Sequence, residues 1–459
     1  VETGVQFDAD LVRRYDVSGP RYTSYPTAVQ FHEGFGEADF HACAASADAE
    51  RPLSLYFHLP FCATLCFYCA CNKVVTKNRA HAIPYLDHLE REIALQSALF
   101  GDRPRVDQLH WGGGTPTFLD PDQMRRLMAR TAQAYELRGD DAGDYAIELD
   151  PRAIGADTIP VLRRLGFNRV SLGVQDLDER VQRAVNRIQP EAVTRAAIDG
   201  AREAGFRSVN VDLIYGLPFQ GVDSFARTLD RVIALAPDRL AVYNYAHLPE
   251  RFTPQRRIRA EDLPAPEEKL AILQRAIGQL TEAGYVYIGM DHFARPDDEL
   301  ATAQQAGTLT RNFQGYSTHG DCDIVAHGIS AISMVGDCYS QHVRDRAPYY
   351  EALDAGRLPI WRGVRLDADD RLRREIITRL ACDFELDTTA FEARHGIDFA
   401  RGFAPEVEAL APMQADGLVD WTDGCLRVTP VGRLLVRGIC MVFDRHLREA
   451  AEPRFSRVI

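Results

Sequence analysis

Residues 58–73 read HLPFCATLCFYCACNK and place four cysteines, Cys62, Cys66, Cys69 and Cys71, close together in one short segment. Thiols this crowded bind metal or carry redox chemistry, and they lie too close together to pair sensibly with the six scattered cysteines at 43, 322, 338, 382, 425 and 440. Three chemistries compete for the C-x3-C-x2-C-x-C spacing. Structural zinc favours two separated C-x2-C pairs. A cluster of the bacterial ferredoxin kind favours C-x2-C-x2-C with a more distant fourth cysteine before proline. The third is a 4Fe-4S cluster held by Cys62, Cys66 and Cys69 alone, its fourth iron open to a small molecule as catalytic zinc keeps an open position.

Further polar groups stand at regular intervals behind the cysteines, each just after an apolar run. GGGTPT follows VDQLHW, Glu148 and Asp150 close YAIEL, Gln175 and Asp176 follow NRVSLGV, and Asp212 with YGLP closes SVNVDLI. NYAH ends RLAVYNY, and DHF follows YVYIGM. With LSLYFHL before the cysteines, these runs read as seven strands between about residues 50 and 295. Between them lie stretches at helical spacing, such as IPYLDHLEREIALQSAL, DQMRRLMARTAQAYEL and DSFARTLDRVIALA. Strands alternating with helices predict an α/β fold with a helix-covered parallel sheet. Chemistry at the C-terminal end of almost every strand favours a partial TIM-like (β/α) barrel over an open sheet.

The organisation expected is an N-terminal arm over residues 1–50, a barrel domain over 51–364 and a smaller C-terminal domain over 365–459. Residues 296–364, rich in Gly, Ser and aromatic residues, read as active-site covering rather than scaffold. The last part is mainly helical and winged-helix-like: helices over ADDRLRREIITRLACDF and PEVEALAPMQADGL, a hairpin turning at Asp423-Gly424, and a last helix over VGRLLVRGICMVFDRHLREA. Acidic residues outnumber arginines there and lysine is absent, so it reads as a structural cap rather than a DNA-binding module.

The chain has 459 residues, 46% hydrophobic and 26% charged, enough for a large core. Its net charge of -13 argues against general binding to nucleic acid or anionic membrane. Apolar runs are too short for a membrane span and the N-terminal segment has no signal-peptide core, so a cytoplasmic protein is expected.

C-x3-C-x2-C after the first barrel strand, with Tyr68 before the third cysteine, resembles the radical S-adenosylmethionine (SAM) superfamily. GPRYTSYPTA, LHWGGGTPT, IELDPR, SLGVQD, VDLIYGLP, NYAHLP, GMDHFARPDDEL, RNFQGY, AISM and the terminal FSRVI narrow the resemblance to the oxygen-independent coproporphyrinogen III oxidases, from about Tyr15 to Ile459. That resemblance implies oxidative decarboxylation of two propionates of coproporphyrinogen III to vinyl groups by a 5′-deoxyadenosyl radical, in haem biosynthesis. It implies a 4Fe-4S cluster on Cys62, Cys66 and Cys69, with Cys71 left free, and two SAM molecules. The cluster-bound SAM is implied near Tyr56, Gly113, Glu148 and Ile332, and the second near Tyr68, Gly114, Thr115, Gln175, Arg187, Asp212 and Ala246. No acid, base or nucleophile of the protein is required. Arg21 and Arg311 are candidates for the substrate carboxylates, and a flavodoxin or ferredoxin is the implied reductant of a monomeric enzyme. The alternative is a haem-binding chaperone of the same superfamily, against which the C-x-C pair and the YTSYPTA segment speak.

Overall fold

A computed structural model describes residues 4–102 and 104–449, so the FSRVI motif lies outside the described residues. The chain forms two compact units, one of residues 31–269 and 321–365, the other of 1–30, 270–320 and 366–459.

The first unit is built on a sheet of strands β1 (Leu53–Leu59), β2 (Arg105–Gly113), β3 (Asp144–Leu149), β4 (Arg169–Gln175), β5 (Ser208–Tyr215), β6 (Arg239–Asn244), β7 (Asp323–His327), β8 (Ile332–Val335), β9 (Cys338–His342) and β10 (Ile360–Arg365). Their order in space is β6-β5-β4-β3-β2-β1-β7-β8-β9-β10. Every pairing from β6 to β7 is parallel, and β8 to β10 continue the sheet antiparallel.

Alternation along these strands decides which side chains do chemistry. On one face Tyr145, Ile147 and Leu149, then Val170, Leu172 and Val174, then Val209, Val211 and Leu213 are buried in the core. The residues between them, Ala146 and Glu148, Ser171, Gly173 and Gln175, Asn210 and Asp212, are only half-buried. Successive side chains of a strand point to opposite faces, so one face packs and the other carries the polar groups. The covering helices include Ala82–Ser97, Pro121–Ala134, Glu191–Glu203 and Val222–Ala234. Asp120 caps the second of these, accepting from the Asp122 and Gln123 N–H groups while Gln123 bonds back to the Asp120 N–H.

Two expectations are corrected here. Residues 323–365 are not covering: they supply β7, which pairs in parallel with β1, and the antiparallel strands β8 to β10. Glycine-rich composition hid short strands buried at nearly every position, as in Asp323–His327 and Cys338–His342. The run YVYIGM is not a parallel barrel strand, because Val286–Gly289 folds back in an antiparallel pairing with His292–Ala294. Gly289 and Met290, at φ 143 and 50, turn the chain before a crossover can begin. The scattered cysteines also hold one cross-link: Cys43, in helix Glu37–Ser46, is disulfide-bonded to Cys338 in β9, while the four clustered cysteines stay free.

The second unit gathers residues from the expected arm and from the 270–320 span together with the C-terminal segment. Helices Ala368–Asp383, Thr388–His395 and Ala404–Ala415 accompany a three-stranded antiparallel sheet in which Cys425–Val428 lies between Glu385–Asp387 and Val419–Thr422. Its hairpin turns at Asp423 and Gly424, both at positive φ (52 and 74), as the tight primed turn of an Asp-Gly pair requires. Phe391, Phe399, Phe403 and Phe443 form its aromatic core. The expected last helix is broken into a 3-10 turn, Gly432–Leu435, and helices Val436–Val442 and Arg445–Glu449. Glycine is required at the start of that turn, because a Cβ on Gly432 would lie 2.0 Å from the Leu418 carbonyl oxygen. Among the described residues no helix is long and apolar enough to cross a membrane.

Candidate active site

The cysteine loop is fixed before any ligand is considered. Phe61–Cys62 pairs with Val74–Val75 and closes the loop at its base. Phe61 is buried, stacked on Phe118 at 5.2 Å and edge-on to Tyr85 at 5.4 Å. The Gly114 and Thr115 N–H groups donate to the carbonyls of Leu59 (2.9 Å) and Phe61 (2.8 Å), tying the loop to the end of β2. At its far side the Phe67 N–H donates to the Val185 carbonyl at 3.0 Å, and Asn186 Nδ2 to the Leu65 carbonyl at 2.7 Å. Phe67 and Tyr68 pack on a cluster of Val181, Val185, Leu217, Tyr245 and Ile258.

Each sulfur of the first three cysteines meets a different environment. Thr115 Oγ1 donates to Cys62 Sγ at 3.6 Å, and burial pushes that thiol up to about 11. Cys66 Sγ accepts from Arg152 Nη2 and Arg187 Nη1, both at 3.5 Å. Asp150 holds the two guanidiniums there, bonding Arg152 Nη2 at 2.6 Å and Arg187 Nη1 at 3.2 Å. The neighbouring Cys71 and then Lys73 lower the Cys69 thiol to about 6, and Cys69 and burial raise Cys71. Lys73 Nζ donates to the Cys69 and Cys71 carbonyls at 3.0 and 3.3 Å.

The glycine floor beside the loop is a packing requirement. A Cβ on Gly112 would lie 2.8 Å from Glu148 Oε1, one on Gly113 2.7 Å from the His58 ring, and one on Gly114 2.6 Å from the Pro60 backbone. The Gly113 N–H donates to Glu148 Oε2 at 3.2 Å, and His110 Nε2 lies 3.3 Å from Glu148 Oε1. Desolvation pushes the Glu148 carboxyl up, yet the His110 contact and the Gly113 N–H outweigh it and hold the group below its ordinary range. His58 donates from Nε2 to the Asn72 carbonyl at 2.8 Å, which leaves Nδ1 to accept from Tyr56 Oη at 3.2 Å. Its partner is therefore loop backbone. Tyr56 stacks on His110 with ring centroids 5.8 Å apart.

Further along the polar face, Asp212 accepts from Ser171 Oγ at 3.0 Å and Asn210 Nδ2 at 2.8 Å. Burial and the charge of Glu148 still push its carboxyl up to about 6. Gln175 is held at φ 70, strained for a residue with a Cβ, and its buried Oε1 has no hydrogen-bond partner among the described residues. Arg187, 6% exposed, has an unpartnered Nε in the same state. Buried polar atoms without partners are uncommon, and these two side chains meet over Gly173, with Arg187 at the Cys66 sulfur, so a polar ligand with its own donors and acceptors fits here. A set of thiols with no imidazole or carboxylate among them suits an iron-sulfur cluster.

The structure thus brings Tyr56, Tyr68, Gly113, Gly114, Thr115, Glu148, Gln175, Arg187 and Asp212 onto the cysteine loop or the polar sheet face beside it. Ile332 starts β8 and Ala246 follows the end of β6, both half-buried and able to offer only apolar surface. Arg21 and Arg311 lie in the other compact unit, where Arg311 Nε donates to the Arg21 carbonyl at 3.3 Å. Arg152, His110, Ser171 and Asn210 escaped the sequence reading. The last three share strand parity with Glu148 and Asp212, and that alternation is the signal that finds them.

The radical SAM superfamily model matches residues 56–232, and that of the HemN C-terminal domain matches 366–435. The chain is 58% identical over 459 residues to the oxygen-independent coproporphyrinogen III oxidase of Pseudomonas aeruginosa, covering 99% of both chains. It is 52% identical over 456 residues to that of Escherichia coli, again with 99% of each chain covered. The solved structure of the E. coli coproporphyrinogen III oxidase HemN, a radical SAM enzyme, superposes with a TM-score of 0.92 at 50% identity, over 96% of this chain and 100% of that one. With a three-cysteine loop at the end of the first barrel strand and this similarity along the whole length, the chain belongs to the oxygen-independent coproporphyrinogen III oxidase family of radical SAM enzymes.

Proposed function

We propose that this protein converts coproporphyrinogen III to protoporphyrinogen IX without oxygen, by oxidative decarboxylation of two propionate side chains. The observation that carries the reading is the loop of Cys62, Cys66 and Cys69 on its glycine floor, in a chain similar end to end to enzymes of that name. When bound, a 4Fe-4S cluster with SAM would supply a 5′-deoxyadenosyl radical able to take a hydrogen from the propionate β-carbon, after which carbon dioxide leaves and one electron passes to an external one-electron acceptor.

The residues of the chain hold and orient. Cys62, Cys66 and Cys69 bind the cluster, and Cys71 stays outside the ligand set. Glu148, kept ionised by His110 and the Gly113 N–H, accepts from the ammonium group of the cluster-bound SAM, with Tyr56, Gly113 and Ile332 beside it. A second SAM lies along Tyr68, Gly114, Thr115, Gln175, Arg187, Asp212 and Ala246, where Arg187 pairs with its carboxylate and Asp212 accepts from its hydroxyls. Arg21 and Arg311 take substrate carboxylates. Proximity does most of the catalytic work, because no protein group has to exchange a proton or form a bond with the substrate. The reading extends to a flavodoxin or ferredoxin as reductant, and to a monomer working in the cytoplasm.

Anaerobic incubation of the reconstituted protein with coproporphyrinogen III, SAM and a low-potential reductant tests it. Protoporphyrinogen IX formed together with 5′-deoxyadenosine is the expected outcome. Haem retained without turnover contradicts the reading and favours a chaperone.

A further inference from the structure

Two arginines of the second compact unit, Arg311 and Arg437, converge on one short segment of backbone that carries a third, Arg21. Arg437 donates from Nε to the Pro20 carbonyl at 3.0 Å and from Nη2 to that of Gly19. Arg311 Nε donates to the carbonyl of the next residue, Arg21, at 3.3 Å, and its guanidinium lies over the Tyr316 ring, 4.7 Å from the centroid. The side chain of Arg21 itself pairs with Asp291, at the tip of the hairpin between Val286–Gly289 and His292–Ala294.

Among the described residues, three guanidiniums gather around this segment. Arg437 is lowered to about 10, by burial first and then by the charges of Arg21 and Arg311, with Asp291 opposing. The other nearby carboxylate, Asp444, is already taken up by Tyr22 Oη at 3.0 Å and by the His446 and Leu447 N–H groups. Among the described residues, the buried Arg311 Nη1 has no hydrogen-bond partner. A buried guanidinium N–H without an acceptor is costly, and a cluster of cations in which one carboxylate, Asp291, is paired and the other is engaged elsewhere is an arrangement that accepts another anion. Arg favours a planar carboxylate that it can bond with two parallel N–H groups. The hairpin tip is also held in place: a Cβ on Gly289 would lie 2.3 Å from Tyr316 Oη, so the glycine lets the tip and the ring under Arg311 pack together.

We propose that Arg21, Arg311 and Arg437 form a carboxylate-binding site for a propionate side chain of the tetrapyrrole substrate, with Asp291 as the internal carboxylate that the propionate displaces from Arg21. The assignment of the ligand rests on the function proposed above. Asp291 competes with the substrate here, so removing its charge strengthens binding while removing a guanidinium weakens it.

Equilibrium binding of coproporphyrin III, the air-stable porphyrin, and of its tetramethyl ester to the full-length protein tests this by fluorescence quenching, with circular dichroism to verify folding. The expected result is that Arg311→Met weakens binding of the free acid by about 10- to 100-fold, the worth of a hydrogen bond to a charged group, and leaves the ester unaffected. Asp291→Asn tightens the free acid several-fold, an effect opposite in sign to general damage, and Arg311→Lys falls between wild type and Arg311→Met. Free-acid binding that is unchanged in both variants, or weakened in both, overturns the site and leaves the function standing. A wild-type protein that binds neither ligand overturns both readings.

Discussion

Arg187 donates from Nη1 to the Cys66 sulfur at 3.5 Å, and Asp150 fixes it there from 3.2 Å. Arg152 reaches the same sulfur from the other side of Asp150, also at 3.5 Å. Hydrogen bonds and positive charge at a cluster-ligating sulfur stabilise the reduced, more negative state. Arg152→Met is therefore expected to make the potential of the reconstituted cluster more negative while iron content stays at the wild-type level. A redox titration followed by electron paramagnetic resonance measures it, and an unchanged or more positive potential contradicts the assignment.

The loop depends on Gly114 more than on its chemistry. A Cβ there meets Pro60 C at 2.6 Å and Phe61 O at 2.7 Å, both backbone atoms that cannot rotate away. Gly114→Ala is expected to lower the stability of the metal-free protein by about 1–3 kcal/mol, the ordinary cost of overpacking, and to reduce cluster incorporation. Thermal denaturation and iron analysis check both; a variant with wild-type stability contradicts the packing argument.

Asp212 gives a pH dependence with a defined sign. Its carboxyl is pushed from 3.8 to about 6, so between those values the folded state holds a proton that the unfolded chain releases. Stability from this group is present at low pH and is lost as the pH rises through about 6. Asp212→Asn is expected to stabilise the metal-free protein at pH 7–8 by about 1–2 kcal/mol, allowing for the partial exposure of the side chain. It is also expected to flatten the stability profile between pH 4 and 6, and to weaken SAM binding. Urea denaturation across pH reads the first two effects; destabilisation at pH 8 contradicts the account.

Much of this fold was legible because parallel strands and covering helices leave separate periodicities. LSLYFHL matches β1, Leu53–Leu59, residue for residue, and the next five runs each contain the core of a strand. The Asp423-Gly424 turn was legible for a different reason, since few residue pairs tolerate positive φ twice in succession. The misreadings have physical causes too. YVYIGM has strand composition, but composition does not say which way the next strand runs, and Gly289 reverses it. Asp323–His327 is a short apolar run inside a stretch rich in Gly and Ser, and its long-range pairing with β1 makes it a strand. In the site, the cysteines announce themselves by spacing. Arg152 does not, because its contact with Cys66 across 86 positions of sequence is made by tertiary structure alone. The glycines were legible as a site for close approach, but what approaches them in the fold is Glu148, His58 and the Pro60 backbone.

Three thiols, and not four, are expected to bind a cluster that retains an open iron. Anaerobic iron and sulfide quantification of wild type and of Cys62→Ala, Cys66→Ala, Cys69→Ala and Cys71→Ala, with the paramagnetic resonance spectrum recorded before and after addition of SAM, tests it most directly. The account predicts cluster loss in the first three variants, retention in the fourth, and a spectrum that SAM perturbs. Loss of iron in Cys71→Ala as well, or a cluster whose spectrum ignores SAM, contradicts it.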